Sequence, residues 1–363
     1  MADNEQVTAG PAPRRRRGAV LVVGAVAVVG AAVAALAAIV PDVIESPSVT
    51  TASGATAPPS PAIALQNAIV QALQVASPSV VEISTTEGLG SGVVYDARGD
   101  IVTNAHVVGT STSFTVQLAN GKRVGAKLVG LFTPDDLAVI RLDAASGVRA
   151  ARFADSNRLR VGDVTLAIGS PLGLSGSVTD GIVSSTGRAV SEGNGILLPD
   201  TIQTSAAINP GNSGGALIDL AGNVIGIPTL AAGTSSGTEY AGIGFAIPSN
   251  TVKLIAPQLI KFGKVTSAGR AALGISGQGV YAQDGTPVGV YVVGLVAGGP
   301  ASRAGIAAGD VIRAVAGQPT TSFTELETVL AKFRPGQKVA VTVLKANGTQ
   351  QSVTVVLGDL AST

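Results

Sequence analysis

The residues with which this sequence could do chemistry are a serine inside Gly211-Asn212-Ser213-Gly214-Gly215, the single histidine at position 106, and the adjacent carboxylates Asp135 and Asp136. A serine flanked by glycines can sit on a tight turn that exposes its hydroxyl and aims backbone N–H groups at one point, which is what an oxyanion hole requires. The same five residues also read as a plain hairpin loop in a chain with 47 glycines, so their surroundings have to decide. His106 follows Ile101-Val102-Thr103-Asn104-Ala105, where a strand-like run ends at a polar turn and brings the imidazole to a rim. Asp135 and Asp136 immediately precede the strand-like Leu137-Ala138-Val139-Ile140. By themselves they would be ordinary turn residues. Beside an imidazole, a carboxylate there can accept from a ring N–H, set the tautomer and stabilise the imidazolium.

The G-x-S-x-G spacing occurs in two unrelated hydrolase designs, and chain order separates them. The nucleophile elbow of the α/β-hydrolases runs Ser, then Asp or Glu, then His. Here the only histidine lies 107 residues before Ser213, so that design has no base. The order His, Asp, Ser remains open, and it belongs to chymotrypsin-like double barrels. The absence of cysteine excludes disulfides, thiolate zinc sites and a cysteine nucleophile, and one histidine cannot build a multi-histidine zinc centre. No metal and no cofactor is expected.

The elements that must position these residues read as mainly β. Charged residues are only 13% of the chain and hydrophobic ones 46%, which suits Val/Ile-rich sheets better than charged helical bundles. Short strand-like runs at 79–84, 92–95, 113–118, 123–129, 137–142, 163–168, 177–187, 216–219, 224–227 and 242–247 are separated by Gly, Asn and Asp, as in an antiparallel barrel or sandwich. Helical spacing is predicted over 62–76, with Leu65, Ile69 and Leu73 on one face. A second helix is expected from Pro248 to Gly263, interrupted at Pro257. From about 268 a second unit follows, with strands near 289–295, 310–315, 338–344 and 351–357. A helix over 322–333 is announced by the capping-box spacing of Ser322 and Glu325.

The first 61 residues have a different character. Arg14 to Arg17 precede an apolar run of 23 residues, 18–40, which as a helix would reach roughly 34 Å and cross a bilayer. The arginines would keep residues 1–17 in the cytoplasm and place the remainder outside. A cleaved signal peptide is the alternative, given the small residues near Ala35 to Ala38. Residues 41–61 are rich in Pro, Ser, Thr and Ala and read as a flexible linker. Net charge is +1, with no basic stripe after residue 17, so nucleic acid is not an expected partner.

Over residues 77–357 the sequence resembles the HtrA-type (DegP/DegS-like) serine proteases. The resemblance rests on Gly90-Ser91-Gly92, Thr103-Asn104-Ala105-His106-Val107, Asp136-Leu137-Ala138-Val139 and the segments 206–215 and 242–250. It implies a chymotrypsin-like double β-barrel protease domain over 62–265 and a small α+β PDZ domain over 268–358. It also implies His106 as base, Asp136 rather than Asp135 as its orienter, Ser213 as nucleophile, and the N–H groups of Gly211 and Ser213 as oxyanion donors. Ala272-Leu273-Gly274-Ile275 looks like the PDZ loop whose amides capture a peptide's C-terminal carboxylate. A serine endopeptidase acting on unfolded, misfolded or regulatory extracytoplasmic proteins, membrane-anchored, trimeric and regulated by peptide C-termini, is what the resemblance implies. The competing reading is a chaperone or peptide-binding protein whose protease domain is resting or inactive. Three departures stand out. Ser205 replaces a usual Asp, Ala216 a usual Pro, and Ala272 a usual aromatic. Pro228, at the strand expected to pair with substrate, has no N–H to donate.

Overall fold

The computed structural model describes residues 60–361 apart from 87, 146, 170–176, 194–195, 210 and 234–238. The expected membrane helix at 18–40, the basic segment before it and the linker up to residue 59 lie outside the described residues. Among the described residues no helix is long and apolar enough to cross a membrane.

Helix α1, Pro61–Ala76, starts where Ser60 accepts from the Ile63 N–H and Pro61 supplies a ready-made φ. It docks through buried Ala72 and Ala76, with Ile69 and Leu73 packed beside them, whereas Leu65 stays exposed. Strands β1 (Val80–Ser84), β2 (Leu89–Val94), β3 (Asp100–Thr103), β4 (Ser113–Gln117), β5 (Arg123–Phe132) and β6 (Leu137–Leu142) form a closed antiparallel barrel in the order β1-β2-β3-β6-β5-β4, with a short helix α2, Ala105–Val108, after β3. A second closed barrel consists of β7 (Val164–Gly169), β8 (Ser177–Gly193), β9 (Ile196–Thr204), β10 (Ala216–Ile218), β11 (Val224–Gly233) and β12 (Glu239–Pro248), in the order β10-β11-β12-β9-β8-β7. The mainly-β, trypsin-like expectation is borne out.

Alternation along the strands builds two kinds of core. In β6, Ala138, Ile140 and Leu142 point into the first barrel, while Leu137 and Val139 face the seam between the barrels. In β10, Leu217 fills the second barrel, and Ala216 and Ile218 face the same seam. Both faces are buried, so these strands read as continuous apolar runs. The seam is closed by helix α3, Ser249–Phe262, through Val252, Ile255, Ala256 and Leu259. Pro257 does not interrupt this helix as expected. Proline removes one ladder bond, and the four apolar side chains packed into the seam hold the helix continuous across that gap.

The C-terminal part is a small α+β unit. β13 (Ala271–Ala272) pairs with a terminal strand, Gly358–Asp359. The main sheet runs β14 (Ile275–Tyr281), β15 (Pro287–Leu295), β16 (Val311–Val315), then Lys338–Leu344 and Gln350–Val356, with a two-residue strand, Gln318–Pro319, on β16. β14 is an end strand. Leu326, Val329 and Leu330 of the helix Phe323–Leu330 pack on Val290, Val292, Ile312, Val341 and Val355. Ser322 caps that helix by accepting from the Glu325 N–H at 3.1 Å, but the Glu325 carboxylate reaches Thr321 N–H at 2.7 Å, one residue before the position a capping box uses. Besides three two-residue strands, two longer ones escaped the sequence reading. β9 contains Pro199, and β14 contains Gly277 and Gly279, both turn-like locally and held extended by their neighbours.

Candidate active site

Asp136 has φ +47, a left-handed backbone that a non-glycine residue adopts at a cost of about 1–2 kcal/mol. It follows the 3-10 turn Thr133–Asp135 and is held from every side. Its carbonyl accepts from the Ala105 N–H at 3.1 Å and from Asn104 Nδ2 at 3.0 Å. Its Oδ1 accepts from the His106 backbone N–H at 3.0 Å, and its Oδ2 lies 2.8 Å from His106 Nδ1. Because a carboxylate oxygen accepts, the proton of this contact sits on Nδ1, and Nε2 is left as the basic nitrogen. The imidazole is about half exposed while the carboxylate is 1% exposed, the arrangement of an accessible base on a buried support.

The second barrel supplies the serine. The Ser213 hydroxyl donates to the Thr229 carbonyl at 2.9 Å, and the Thr229 hydroxyl donates to Asp136 Oδ2 at 2.7 Å. Thr229, which sequence reasoning did not single out, thereby ties Ser213 and Asp136 together from one residue of β11. A hydroxyl has one proton, so in this arrangement Ser213 presents it to Thr229 and must rotate to pass it to an imidazole.

The turn that carries Ser213 is gripped by the first barrel. Ser91 of β2 donates its hydroxyl to the Gly211 carbonyl at 2.6 Å and its N–H to the Ser213 carbonyl at 3.0 Å. Its own carbonyl accepts from Thr103 Oγ1 at 2.7 Å. Gly211 has φ +101 and Gly214 φ +79. A Cβ at Gly214 would lie 2.2 Å from the Ser91 carbonyl oxygen, so only glycine allows this approach. Asn212 donates to the Asn209 carbonyl, Gly214 to Pro228 and Gly215 to Asn212. Among the described residues, the N–H groups of Gly211 and Ser213 have no hydrogen-bond partner.

The departures acquire local reasons. Ser205 Oγ accepts from the Ile182 N–H at 3.0 Å and fastens its loop to β8. Ala216 is fully buried in the seam. The Pro228 carbonyl accepts from Gly214 at 3.0 Å, so this proline supports the serine turn through its oxygen.

Asp135 and Asp136 divide their work. Asp135 takes no part in the histidine contacts; its Oδ1 accepts from Arg270 Nη1 at 2.5 Å, and the same nitrogen donates to the Pro134 carbonyl at 2.9 Å. Burial pushes the Asp135 carboxyl up, and the guanidinium counteracts part of this. Ala272, Leu273, Gly274 and Ile275 line a cavity of about 410 Å³, within the range of small-ligand sites, between β14 and the helix Phe323–Leu330. Gly274 has φ +70, and its carbonyl is occupied by the Val296 N–H. Glu327 stands in the cavity wall, where burial pushes its carboxyl up to about 7.

Residues 90–227 match the trypsin-like peptidase domain family and residues 271–357 the PDZ domain family. The chain is 42% identical over 265 residues to a probable periplasmic serine protease do/HhoA-like of Haemophilus influenzae, covering 71% of this chain and 56% of that one. It is 40% identical over 278 residues to the periplasmic pH-dependent serine endoprotease DegQ of Escherichia coli, covering 75% and 59%. The chain thus spans less than two thirds of the length of these curated relatives. A solved structure of the HtrA-type protease AlgW with a decapeptide matches with a TM-score of 0.56 and 33% identity, over 81% of this chain and 99% of that one.

Proposed function

Because the chain belongs to the HtrA-type trypsin-like serine proteases and carries one PDZ domain, we propose that it is a serine endopeptidase in which Ser213 is the nucleophile, His106 the general base and Asp136 its orienter. The observation that carries this reading is the bridge through Thr229, which bonds both the Asp136 carboxylate and the Ser213 hydroxyl while Asp136 holds His106. In the reaction the Ser213 hydroxyl turns to His106 Nε2 and gives up its proton as Oγ attacks the scissile carbonyl. The resulting oxyanion is received by the N–H groups of Gly211 and Ser213, each such donor contributing about 2.7–4 kcal/mol to transition-state stabilisation. The proton then passes to the leaving amine, and water releases the acyl group by the same route.

The substrates in this reading are unfolded, misfolded or regulatory proteins outside the cytoplasm, supported by the names of the periplasmic relatives. The PDZ domain over 268–358 takes peptide C-termini at Ala272–Ile275, supported by the cavity there and by the end strand β14, beside which a peptide can add a strand. A single-pass anchor at 18–40 places the protease domain, 62–265, beyond the membrane; its support is the run of arginines before 23 apolar residues. Assembly as a homotrimer has support in the exposed Ile63, Leu65 and Val70 of α1. A second reading, a resting protease that first binds peptides, is favoured by the Ser213 proton lying on the Thr229 carbonyl.

The test is digestion of unfolded casein by the full-length chain beside Ser213→Ala, with and without a peptide bearing a free C-terminus. Digestion that disappears in Ser213→Ala is expected. Equal digestion by both would show the nucleophile to be another residue, and digestion by neither under any condition would leave only the peptide-binding reading.

A further inference from the structure

We propose that Glu327 makes the groove beside Ala272–Ile275 selective for peptides that carry a basic side chain at the third residue from their C-terminus. This rests on the reading of that groove as a peptide site and names the peptides it takes. Glu327 stands in the cavity wall, and its Oε2 is buried with no hydrogen-bond partner. A buried acceptor left unpaired is costly, and a donor that arrives with a ligand relieves that cost. The charge around it has the matching sign. Carboxylates of Asp200, Glu327 and Asp359 line the cavity, with Arg270 as the one cation among its described lining residues. The Arg270 guanidinium is engaged by Asp135 and the Pro134 carbonyl, and Asp359 accepts from Ser267, Ala268 and Gly269. Glu327 is therefore the lining acid with a buried oxygen in want of a donor.

The position follows from the two walls of the groove, β14 on one side and the helix Phe323–Leu330 on the other. Near the loop, Ile275 and Leu330 line the cavity together; further along, a Cβ on Gly277 would lie 3.7 Å from the Phe323 ring. Glu327 lies between these two levels, three residues from Leu330 and four from Phe323, so all three share one helix face. A peptide that adds to β14 with its carboxylate at the loop runs back toward Gly277, and alternate side chains face the helix. The last side chain meets the apolar Leu273, Ile275, Leu330 and Phe333, and the third from last is the next to face the helix. It stands about 6.8 Å along the strand, against about 4.5 Å of helix from Leu330 to Glu327, within reach of a lysine side chain. The second-from-last side chain points away.

A cation favours the ionised carboxylate. Burial holds the Glu327 carboxyl up at about 7, with Arg270 counteracting part of the shift, so the preference for a basic peptide is expected to grow as pH rises through that value. Asp200 is also pushed up by burial and is tested in parallel. Affinity is read by fluorescence anisotropy on full-length Ser213→Ala with labelled decapeptides that end in an apolar residue and carry lysine or norleucine third from last, or lysine second from last. At pH 8 lysine third from last is expected to bind about tenfold more tightly than norleucine, and at pH 5.5 less than about threefold. Glu327→Gln is expected to abolish the preference at both pH values while binding the norleucine peptide as before, and Asp200→Asn is expected to keep it. Because lysine and norleucine are compared on the same protein, the test stands even if a variant fails to fold. Equal affinity of the two peptides at pH 8, a preference that survives Glu327→Gln or is lost in Asp200→Asn, or the same gain from lysine second from last would overturn the assignment to Glu327 alone. No binding of any peptide would overturn the groove reading, and this proposal with it.

Discussion

The Thr229 hydroxyl donates to Asp136 Oδ2 at 2.7 Å, on the same oxygen that lies 2.8 Å from His106 Nδ1. Asp136 Oδ2 therefore receives one donor from each barrel. The carboxylate is oriented by the second barrel as well as by the turn on which it sits, and the Thr229 carbonyl accepts from the Ser213 hydroxyl.

Replacing Thr229 by Val removes the hydroxyl and keeps the shape. A hydrogen bond to a charged group is worth about 1.5–3 kcal/mol, so kcat/KM on a peptide substrate is expected to fall about 10- to 100-fold, with KM nearly unchanged. Thr229→Ser, which keeps the donor, is expected to stay within a few-fold of the parent. A Val variant as active as the parent would show the contact to be incidental.

Ser91→Ala deletes the bond to the Gly211 carbonyl while leaving the Ser91 backbone in place. Loss of a neutral hydrogen bond of about 1 kcal/mol that holds the nucleophile turn is expected to lower kcat roughly fivefold. A change confined to KM would assign Ser91 to substrate binding instead.

Gly214→Ala tests the closeness of the two barrels. A methyl group there meets the Ser91 carbonyl oxygen at 2.2 Å and Thr103 Oγ1 at 2.3 Å on a backbone with φ +79. Strain plus overlap is expected to cost more than about 3 kcal/mol in urea unfolding. Gly121→Ala is the control, because φ is +81 there too but the space is open, and only the backbone cost of about 1 kcal/mol is expected. Equal costs would mean that overlap at Gly214 is relieved easily.

Glu327 gives stability a pH dependence. Burial raises its carboxyl from 4.5 to about 7, so the folded state binds the proton more tightly than the unfolded chain. Its contribution is therefore fully present below about 4.5 and is lost as pH rises through 7. Discounted for its partial exposure, the loss is about 2 kcal/mol. Thermal unfolding of Glu327→Gln is expected to gain on the parent between pH 5 and pH 7.5. A constant difference across that range would place the carboxyl in water.

The order of His106, Asp136 and Ser213 and most barrel strands were legible because they depend on local signals: residue type, glycine spacing and apolar runs bounded by turns. Thr229 and Ser91 were not legible as site residues, because nothing local marks a threonine whose partner lies 93 residues upstream or a serine whose partner lies 120 residues downstream. Asp135 and Asp136 are chemically identical in the sequence. What separates them is the left-handed turn at Asp136 and an arginine 135 residues beyond Asp135. Pro257 misled the helix reading for the opposite reason. Its local cost is real, and the buried seam around it outweighs that cost.

The seam between the barrels divides the chemistry as well as the core. Histidine and aspartate stand on one side of it, serine and threonine on the other, and Ser91 reaches across to shape the turn of the far side. With only one barrel folded, the proposed base His106 has no Ser213 opposite it, or Ser213 stands on an unsupported turn. In the proposed mechanism, activity therefore requires both barrels to be folded and pressed together at this seam.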